Sequence, residues 1–370
     1  MATTSAPVRW GILGTGAIAQ EFAYGLSILP EAKLLAVGSR RPDSGQRFAQ
    51  AHQIPKVYDT YEALVADGEI DVVYIATPHF RHHQDCLLCL NGGKAVLCEK
   101  PLALNGQQGR EVAAAAHRHG VFCMEAMWMR FMPLIQRVQA LIQQGAIGQV
   151  LSLTADFGYP TEFDPGNRFF NLQLGGGALL DRGSYPLSLA FQLLGAPSSV
   201  TGQACIGETG VDDQSALILT YSSGQLAQLG ATLRGYATNT ATITGTRGKI
   251  IIHPPFCRPD KITLTPLSEQ PVVTSSQAST PPSKLKRQVK GLVKRLPLTG
   301  AVASLRNKTQ AITAPITGNG FNYEAMEVIR CLRQNRLESP LMPLDESVKI
   351  LEVMDQLRRS WGLHYPQDSI

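Results

Sequence analysis

Three residues carry side chains suited to moving a proton, and they stand in two short motifs. Lys100 follows the apolar run 95–98 and precedes Pro101, so its amine lies where a strand ends. Ligands of open α/β folds bind beyond the carboxyl ends of the strands. Taken alone, the Glu99–Lys100 pair is more simply interpreted as a solvated ion pair, and the rest of the chain decides between the two interpretations.

The other two candidates, Asp181 and Tyr185, lie in the stretch GGGALLDRGSY at residues 175–185. Being four residues apart, they share one face of a helix. A phenol has an unperturbed pKa of about 10, and an adjacent ammonium such as that of Lys100 lowers this pKa. A phenol, a carboxylate and an amine held together would form an acid–base set. A capping aspartate beside a packed tyrosine explains the same residues equally well.

A glycine-rich motif near the start of the chain predicts a dinucleotide-binding turn. Residues 8–13 have the pattern of a buried strand, and GTGAIA at 14–19 follows directly, before a helical pattern at 20–26. The first glycine permits the turn, the second lets a pyrophosphate approach the backbone, and the helix N-terminus supplies amides and a positive dipole. The cofactor-binding residues expected from this motif are Gly14, Thr15, Gly16, Ala17 and Ile18.

The end of the second predicted strand, at 33–38, indicates which dinucleotide binds. Ser39, Arg40 and Arg41 follow this strand, where NAD-dependent enzymes usually place an acid for the ribose 2′-hydroxyl. One hydroxyl and two guanidiniums suit a 2′-phosphate instead, through charge-assisted contacts. We therefore expect NADP(H) as the cofactor; the alternative is a loop with two solvated arginines.

Two further apolar strands, 70–76 and 95–98, end at the same rim. Strands of this kind alternating with helical patterns predict a doubly wound parallel sheet. The three histidines among residues 79–83 suit either contact with a ligand or simply the start of a helix. The side chains expected to line the cofactor site at these strand ends are Thr77, Pro78, His79, His82, Glu99 and Lys100.

From residue 148 the pattern changes to strands with period-two alternation, at 150–157, 215–221, 225–234 and 239–244. This predicts an α+β domain built on an open, mostly antiparallel sheet with one covered face. We expect residues 1–127 to bind the dinucleotide and residues 128–370 to bind substrate. The residues expected to contact substrate are Trp128, Arg130, Arg168, Phe169 and Asp181.

Bulk composition narrows the class of protein. At 370 residues the chain exceeds one ordinary core, so two domains are expected. We find no membrane-spanning run and no secretory signal, and therefore expect a cytoplasmic protein. Seven scattered cysteines suit free thiols, and the spacing of Cys86 and Cys89 falls in an apolar helical pattern that favours packing. No metal site is expected.

The net charge of +5 comes from one segment. Eight lysines and arginines lie within residues 284–308, and no acid lies within 270–323. At 284–296 apolar residues recur at helical spacing on an otherwise basic helix. Such a helix can bind an anionic membrane surface or an acidic partner, but docking on its own domain with the lysines in water is the favoured interpretation. No nucleic-acid binding is expected.

Together these motifs resemble those of the Gfo/Idh/MocA oxidoreductases. The resemblance covers about residues 8–265 and 319–366, and a basic insert at about 271–318 departs from it. It rests on GTGAIA, on the triplet from Glu99 to Pro101, whose Lys–Pro bond is often cis in this family, and on GGGALLDRGSY. Many members carry histidine in place of Tyr185, and the tyrosine form resembles the dihydrodiol dehydrogenase branch.

The resemblance implies a Rossmann domain, a substrate domain that often forms a homodimer, and NADP(H). It implies Lys100 and Tyr185 as the catalytic pair, with Asp181 and the loop around His79 in the substrate pocket. The reaction implied is hydride transfer between nicotinamide and a carbinol carbon of a sugar, polyol or cyclic diol. Tyr185 would be the acid–base, and Lys100 would assist it. The competing hypothesis is a non-catalytic dinucleotide-binding sensor that engages a partner through residues 284–296.

Overall fold

The computed structural model describes residues 6–267 and 309–368, which build two sheets. A six-stranded parallel sheet is followed by an eight-stranded mixed sheet that is mostly antiparallel. This architecture confirms the predicted fold class. The boundary between residues 127 and 128 remains a prediction.

The first sheet has the doubly wound strand order β3-β2-β1-β4-β5-β6. Its strands are β1 Val8–Leu13, β2 Ala32–Gly38, β3 Lys56–Tyr58, β4 Val72–Ile75, β5 Ala95–Glu99 and β6 Cys123–Ala126. Its helices are α1 Ala17–Ser27, α2 Pro42–His52, α3 Tyr61–Val65, α4 His82–Asn91 and α5 Gly106–His119. Strands β4 and β5 are buried at every position, as continuous apolar runs in parallel sheets are.

Strand β6 begins two residues later than the predicted strand at 121–124. Gly120 ends α5 in the left-handed conformation, with φ of +62°. The Val121 amide still donates to the Ala116 carbonyl, 3.1 Å away. Residue 121 therefore belongs to the end of the helix, and pairing with β5 starts at Cys123.

The second sheet has the strand order β14-β13-β12-β11-β7-β10-β9-β8. Its strands are β7 Val150–Gly158, β8 Ser199–Ile206, β9 Asp212–Thr220, β10 Leu226–Thr232, β11 Ala241–Gly245, β12 Gly248–Ile252, β13 Lys261–Pro266 and β14 Gln310–Thr313. Strands β7 and β10 pair in parallel, and the other neighbours pair antiparallel. Period-two alternation reports which face is buried and carries no information on strand direction, so the parallel pair was not predicted.

The remaining helices pack against this sheet or reach back to the first. They are α6 Pro133–Gln143, α7 Ser184–Leu194, α8 Phe321–Arg333 and α9 Leu344–Ser360, and a π-helical turn, Leu179–Gly183, leads into α7. Helix α7 packs on β7 and β10, and α9 packs on β8. Helix α8 also contacts α1, and α9 contacts α5. The end of the chain thus fastens the two sheets together.

The predicted basic helix at 284–296 lies outside the described residues. The last part of the predicted insert, 271–318, does belong to the fold, because β14 pairs with β13 at the edge of the sheet. Cys86 and Cys89 are buried free thiols, as their apolar surroundings indicated. No helix within the described ranges is long and apolar enough to cross a membrane.

Candidate active site

A cavity of about 620 Å³ opens where β1, β2, β4 and β5 end and extends to the π-helical turn before α7. Lys100, Asp181 and Tyr185 line it, together with Arg168. Every residue predicted to bind the cofactor also lines it: Gly14, Thr15, Gly16, Ala17, Ile18, Ser39, Arg40, Arg41, Thr77, Pro78, His79, His82, Glu99 and Lys100.

The glycine-rich turn after β1 has the shape that a pyrophosphate requires. Gly14 has a φ of +96°, and a Cβ there would lie 2.7 Å from the Ala76 carbonyl oxygen, so a side chain would clash with the backbone just after β4. A Cβ at Gly16 would meet nothing within 4 Å. Gly16 is also the N-cap of α1 and supplies no side-chain cap, which leaves first-turn amides available to an anion. These residues fit a dinucleotide.

The corner after β2 presents two guanidiniums beside a buried hydroxyl. Ser39 Oγ donates to the Arg41 carbonyl at 2.9 Å, and this bond shapes the turn. Arg40 and Arg41 are exposed, and neither pairs with a carboxylate in the part of the chain that the structure describes. Tyr61 lies 6.0 Å from the Arg40 guanidinium and also lines the cavity. The corner is therefore cationic and free to take an anionic group.

Lys100 reaches from the first sheet to the turn before α7. Its Nζ donates to the Asp181 carbonyl oxygen at 2.7 Å and to Asp181 Oδ1 at 3.2 Å. The ammonium also lies 4.8 Å from the centre of the Tyr185 ring, over its face. The Lys100–Pro101 peptide bond is cis. The chain therefore brings together all three residues that were predicted to form an acid–base set.

Asp181 is a buried carboxylate surrounded by cations. Its Oδ1 accepts hydrogen bonds from Lys100 at 3.2 Å and Arg168 at 3.1 Å, and its Oδ2 accepts one from Arg182 at 3.0 Å. Burial acts to raise the pKa of this carboxyl, but the attraction of Lys100, then Arg168, outweighs it, so the pKa lies well below its ordinary value. Asp181 is therefore an ionised anchor that orients its partners, and not a proton donor.

Tyr185 is 8% exposed, and its hydroxyl accepts a hydrogen bond from Trp128 Nε1 at 3.0 Å. We expected the Lys100 ammonium to lower the pKa of this phenol. In the structure burial raises the pKa well above its ordinary value, and the Trp128 bond opposes that effect only in part. The phenol is thus protonated at neutral pH, and Lys100 contacts the face of its ring, with its hydrogen bonds directed to Asp181.

His79 presents one ring nitrogen toward Asp181. Its Nδ1 lies 3.1 Å from the Gly175 carbonyl and donates to it, because a carbonyl can only accept. Burial, followed by the nearby Arg168, holds the pKa of this imidazole well below its ordinary value. Although His79 Nε2 is 3.9 Å from Asp181 Oδ1, the neutral ring forms no ion pair. Nε2 is left as an acceptor.

His82 and Glu99 support the loops behind the cavity. The ring nitrogens of His82 lie 2.7 Å from the Pro101 carbonyl and 2.8 Å from the Thr77 carbonyl, so this residue ties the loop after β4 to the loop after β5. Glu99 accepts a bond from the Tyr74 hydroxyl and one from the Lys100 amide. The histidine cluster thus combines both interpretations: His79 lines the cavity, and His82 begins α4.

Arg130 was predicted to contact substrate, but the structure places it away from the cavity. It is 1% exposed, pairs with Glu346, and donates to Ser188 Oγ at 2.7 Å and to the Leu341 carbonyl at 3.1 Å. It does not line the cavity. Arg130 joins the turn after β6 to α7 and α9, which spacing along the chain could not reveal.

Trp128 and Phe169 act behind the cavity wall and do not line it. Trp128 stacks on Phe321 with ring centres 4.9 Å apart while its indole holds the Tyr185 hydroxyl. Phe169 lies under the Arg168 guanidinium, 4.0 Å from it. Both residues position neighbours that do face the cavity.

Several residues that line the cavity were not predicted from the sequence: Tyr61, Ala76, Phe157, Tyr159 and Arg182. Phe157 and Tyr159 lie at the end of β7. The alternating pattern of that strand does not indicate which ligand its residues face. Arg182 did carry a signal, since it lies in GGGALLDRGSY between two residues that were singled out. The residues within 6–267 and 309–368 contain no group of three or more potential metal ligands.

Comparisons with known proteins agree with this geometry. A model of the oxidoreductase family with an NAD-binding Rossmann fold matches residues 8–127, and a model of the GFO/IDH/MocA C-terminal domain matches residues 135–251. The trans-1,2-dihydrobenzene-1,2-diol dehydrogenase of Xenopus laevis is 36% identical over 362 residues, which cover 97% of this chain and 99% of that protein. The chain belongs to the Gfo/Idh/MocA family of oxidoreductases. It is therefore an NAD(P)-dependent oxidoreductase related to dihydrodiol dehydrogenases.

More distant relatives share the fold along nearly the whole chain. The human trans-1,2-dihydrobenzene-1,2-diol dehydrogenase is 33% identical over 366 residues, covering 98% of this chain and 99% of its own. A levoglucosan dehydrogenase solved with NADH and levoglucosan has a TM-score of 0.80 at 19% identity, covering 96% and 97% of the two chains. A 3-ketoreductase from Actinomadura kijaniata, solved with NADP and TDP-benzene, has a TM-score of 0.77 at 22% identity, covering 95% and 97%.

The buried position of Arg130 leads to a testable prediction. Replacing it by alanine leaves Glu346 without its buried partner, and breaking a buried ion pair costs about 3–5 kcal/mol. We expect Arg130→Ala to lower the free energy of unfolding by an amount of this size in urea titrations, while NADPH affinity is unchanged in the protein that remains folded. Arg137→Ala, at an exposed position of α6, is the matched control. If Arg130→Ala unfolds as the unaltered protein does but binds NADPH more weakly, Arg130 would instead be a ligand-binding residue.

Proposed function

We propose that this protein catalyses reversible, NADP-linked hydride transfer at a carbinol carbon of a sugar, polyol or cyclic diol. The observation that carries the proposal is one cavity lined by the glycine-rich turn at one end and by Lys100, Asp181 and Tyr185 at the other. Its two parts suit a dinucleotide and a hydroxylated substrate. The relationship to diol and sugar dehydrogenases favours the same substrate class.

In this proposal Tyr185 is the acid–base. Trp128 occupies one side of its hydroxyl oxygen, which leaves the phenol free to exchange a proton with a substrate hydroxyl. Its raised pKa keeps the phenol protonated, which is the form that a proton donor needs in the reducing direction. In the oxidising direction the Lys100 ammonium, 4.8 Å from the ring centre, would stabilise the phenolate. A bound NADP would supply the acceptor for the hydride that leaves the carbinol carbon, and the glycine-rich turn and the Ser39–Arg41 corner would hold it.

Other groups on the same wall would hold the substrate. His79 Nε2 is a neutral acceptor, and Arg168 has a half-exposed guanidinium already oriented by Asp181. Phe157 and Tyr159 add an aromatic surface next to these polar groups. Hydroxyl-binding groups beside aromatic rings suit the polar edge and the apolar face of a sugar or cyclic diol.

Replacing Tyr185 by phenylalanine tests the acid–base assignment. We expect Tyr185→Phe to lower kcat at least about a hundredfold with trans-1,2-dihydrobenzene-1,2-diol or D-xylose and NADP, since positioned proton transfer contributes on that order. NADPH binding, followed by tryptophan fluorescence, should stay at the wild-type level. Tyr221→Phe is the matched control, because it removes another buried hydroxyl that has no partner among the described residues. A kcat within a few-fold of wild type in Tyr185→Phe would reject the assignment.

The cofactor preference depends on the corner after β2. The dissociation constant of NADPH should rise about tenfold in Arg40→Ala and in Arg41→Ala, since each removes a charge-assisted contact to a phosphate. The dissociation constant of NADH should not change, because its ribose carries no 2′-phosphate. Arg47→Ala, an exposed arginine on α2, controls for net charge. Tighter binding of NADH than of NADPH by the unaltered protein would overturn the NADP assignment.

We further propose that the open face of the second sheet forms a homodimer. Ile218 and Leu226 are 49% and 44% exposed there, beside a hollow that Thr154, Gln228 and neighbouring residues line. Exposed apolar side chains grouped on one sheet face are costly to leave in water. Light scattering should report a dimer for the unaltered chain and a monomer for Ile218→Glu. Leu337→Glu, at an exposed apolar position outside the sheets, should remain dimeric; a monomeric unaltered chain would exclude the dimer.

A further inference from the structure

A buried carboxyl group outside the cavity holds the start of the turn that carries Asp181 and Tyr185. Asp212 opens β9 and is fully buried. Its Oδ2 accepts a hydrogen bond from the Leu179 amide at 2.7 Å. Leu179 is the first residue of the π-helical turn, which contains Asp181 and continues into α7, where Tyr185 lies. One hydrogen bond therefore connects the sheet to the beginning of this segment.

The neighbouring loop is built to admit this carboxyl group. Gly177 has a φ of +119°, and a Cβ at that position would lie 2.3 Å from Asp212 Oδ1. Any side chain there would thus displace the carboxyl group from the Leu179 amide. Tyr365, from the end of the chain, donates to the adjacent Gly176 carbonyl. Three separate parts of the fold meet at the start of the turn.

Asp212 is poorly compensated as an anion. Its Oδ1 is buried and has no hydrogen-bond partner among residues 6–267 and 309–368. Burial raises the pKa of Asp212 to about 7; the Leu179 amide and Arg358 on α9 act to lower it, and Asp213 raises it further. The nearby Tyr365 phenol, with a pKa raised by burial, is uncharged at neutral pH.

The charge of Arg358 is already shared with other acids. It donates to Asp355 at 2.6 Å and to Asp368 at 2.7 Å, so little of its charge remains for Asp212. From the ordinary carboxyl pKa of 3.8 up to about 7, folded Asp212 keeps a proton that the unfolded chain releases. Relative to the unfolded chain, its contribution to stability is thus present at low pH and is lost as the pH rises to about 7. The Leu179 bond by itself acts in the opposite direction: it lowers the pKa of Asp212, so in local openings that leave Asp212 buried this bond is stronger to the ionised carboxylate.

We propose that Asp212 is a positioning residue for the hydride-transfer site, acting through the Leu179 amide on the turn that carries Asp181 and Tyr185. Ionised Asp212 makes a charge-assisted bond to that amide and places a negative charge at the N-terminal end of a helical segment. Protonated Asp212 makes only a neutral bond. A single proton therefore sets how firmly the turn is held. The kinetic part of this inference rests on the proposed function; the structural part does not.

Hydrogen exchange of the segment 176–183 tests the structural part. In the unaltered protein, protection of the Leu179 amide, corrected for intrinsic exchange, should increase about tenfold from pH 6 to pH 8, the difference between a neutral and a charge-assisted bond. Asp212→Asn keeps an acceptor but cannot ionise, so its protection should not change with pH. Asp213→Asn is the comparison variant: this neighbour faces Arg234 at 3.5 Å and raises the pKa of Asp212, so the increase in protection should persist in the variant but occur at lower pH. The same pH dependence in Asp212→Asn as in the unaltered protein would overturn the proposal.

The pH profile of turnover tests the kinetic part. With trans-1,2-dihydrobenzene-1,2-diol and NADP, kcat should rise through about pH 7 in the unaltered protein and at a lower pH in Asp213→Asn. This rise should be missing in Asp212→Asn, with KM within about twofold. A merely structural role of Asp212 would lower kcat equally at all pH values. If kcat still rises through about pH 7 in Asp212→Asn, Asp212 is not the positioning residue. If NADPH binds but the diol is not turned over, the substrate proposal fails, and the exchange result alone still decides the role of Asp212.

Discussion

The buried carboxylate of Asp181 is the contact on which the site depends. It joins Lys100, from the end of a Rossmann strand, to Arg168 and Arg182, which belong to the second domain. Burying an anion is costly unless cations and hydrogen bonds surround it, and removing one partner leaves an uncompensated charge. The turn that carries Asp181 is therefore held against β5, and that contact fixes Lys100 over the ring of Tyr185.

The rest of the fold holds the two sides of this contact in place. Helices α8 and α9 return from the second sheet to pack on α1 and α5 of the first, so the cavity lies between elements that cannot easily separate. Phe321, at the start of α8, stacks on Trp128, which in turn holds the Tyr185 hydroxyl. Burial also shifts the pKa values of two side chains in the site. It raises the pKa of Tyr185 and lowers that of His79, so both are neutral at physiological pH.

The elements were predictable where a local pattern has one physical explanation. The run 8–13 followed by GTGAIA folds as β1, the turn and α1, because a glycine with positive φ is needed where the chain passes the Ala76 carbonyl. The later start of β6 and the parallel pairing of β7 with β10 were not predictable. The first depends on a hydrogen bond that closes α5, and the second on which strands become neighbours after folding.

By itself the sequence determined the fold class, through the alternation of strand and helix patterns. It also indicated the dinucleotide turn, the Ser39–Arg41 corner and the cavity residues Lys100, Asp181 and Tyr185, because each of these lies in a short motif whose spacing has a direct structural meaning. Only the tertiary structure decided what surrounds them. It buried Arg130 against α7 and α9 and brought Arg182 to Asp181. It also placed Asp212 beside the start of the turn that carries Asp181. These contacts join residues far apart in the chain or depend on burial, and both are properties of packing that no spacing encodes.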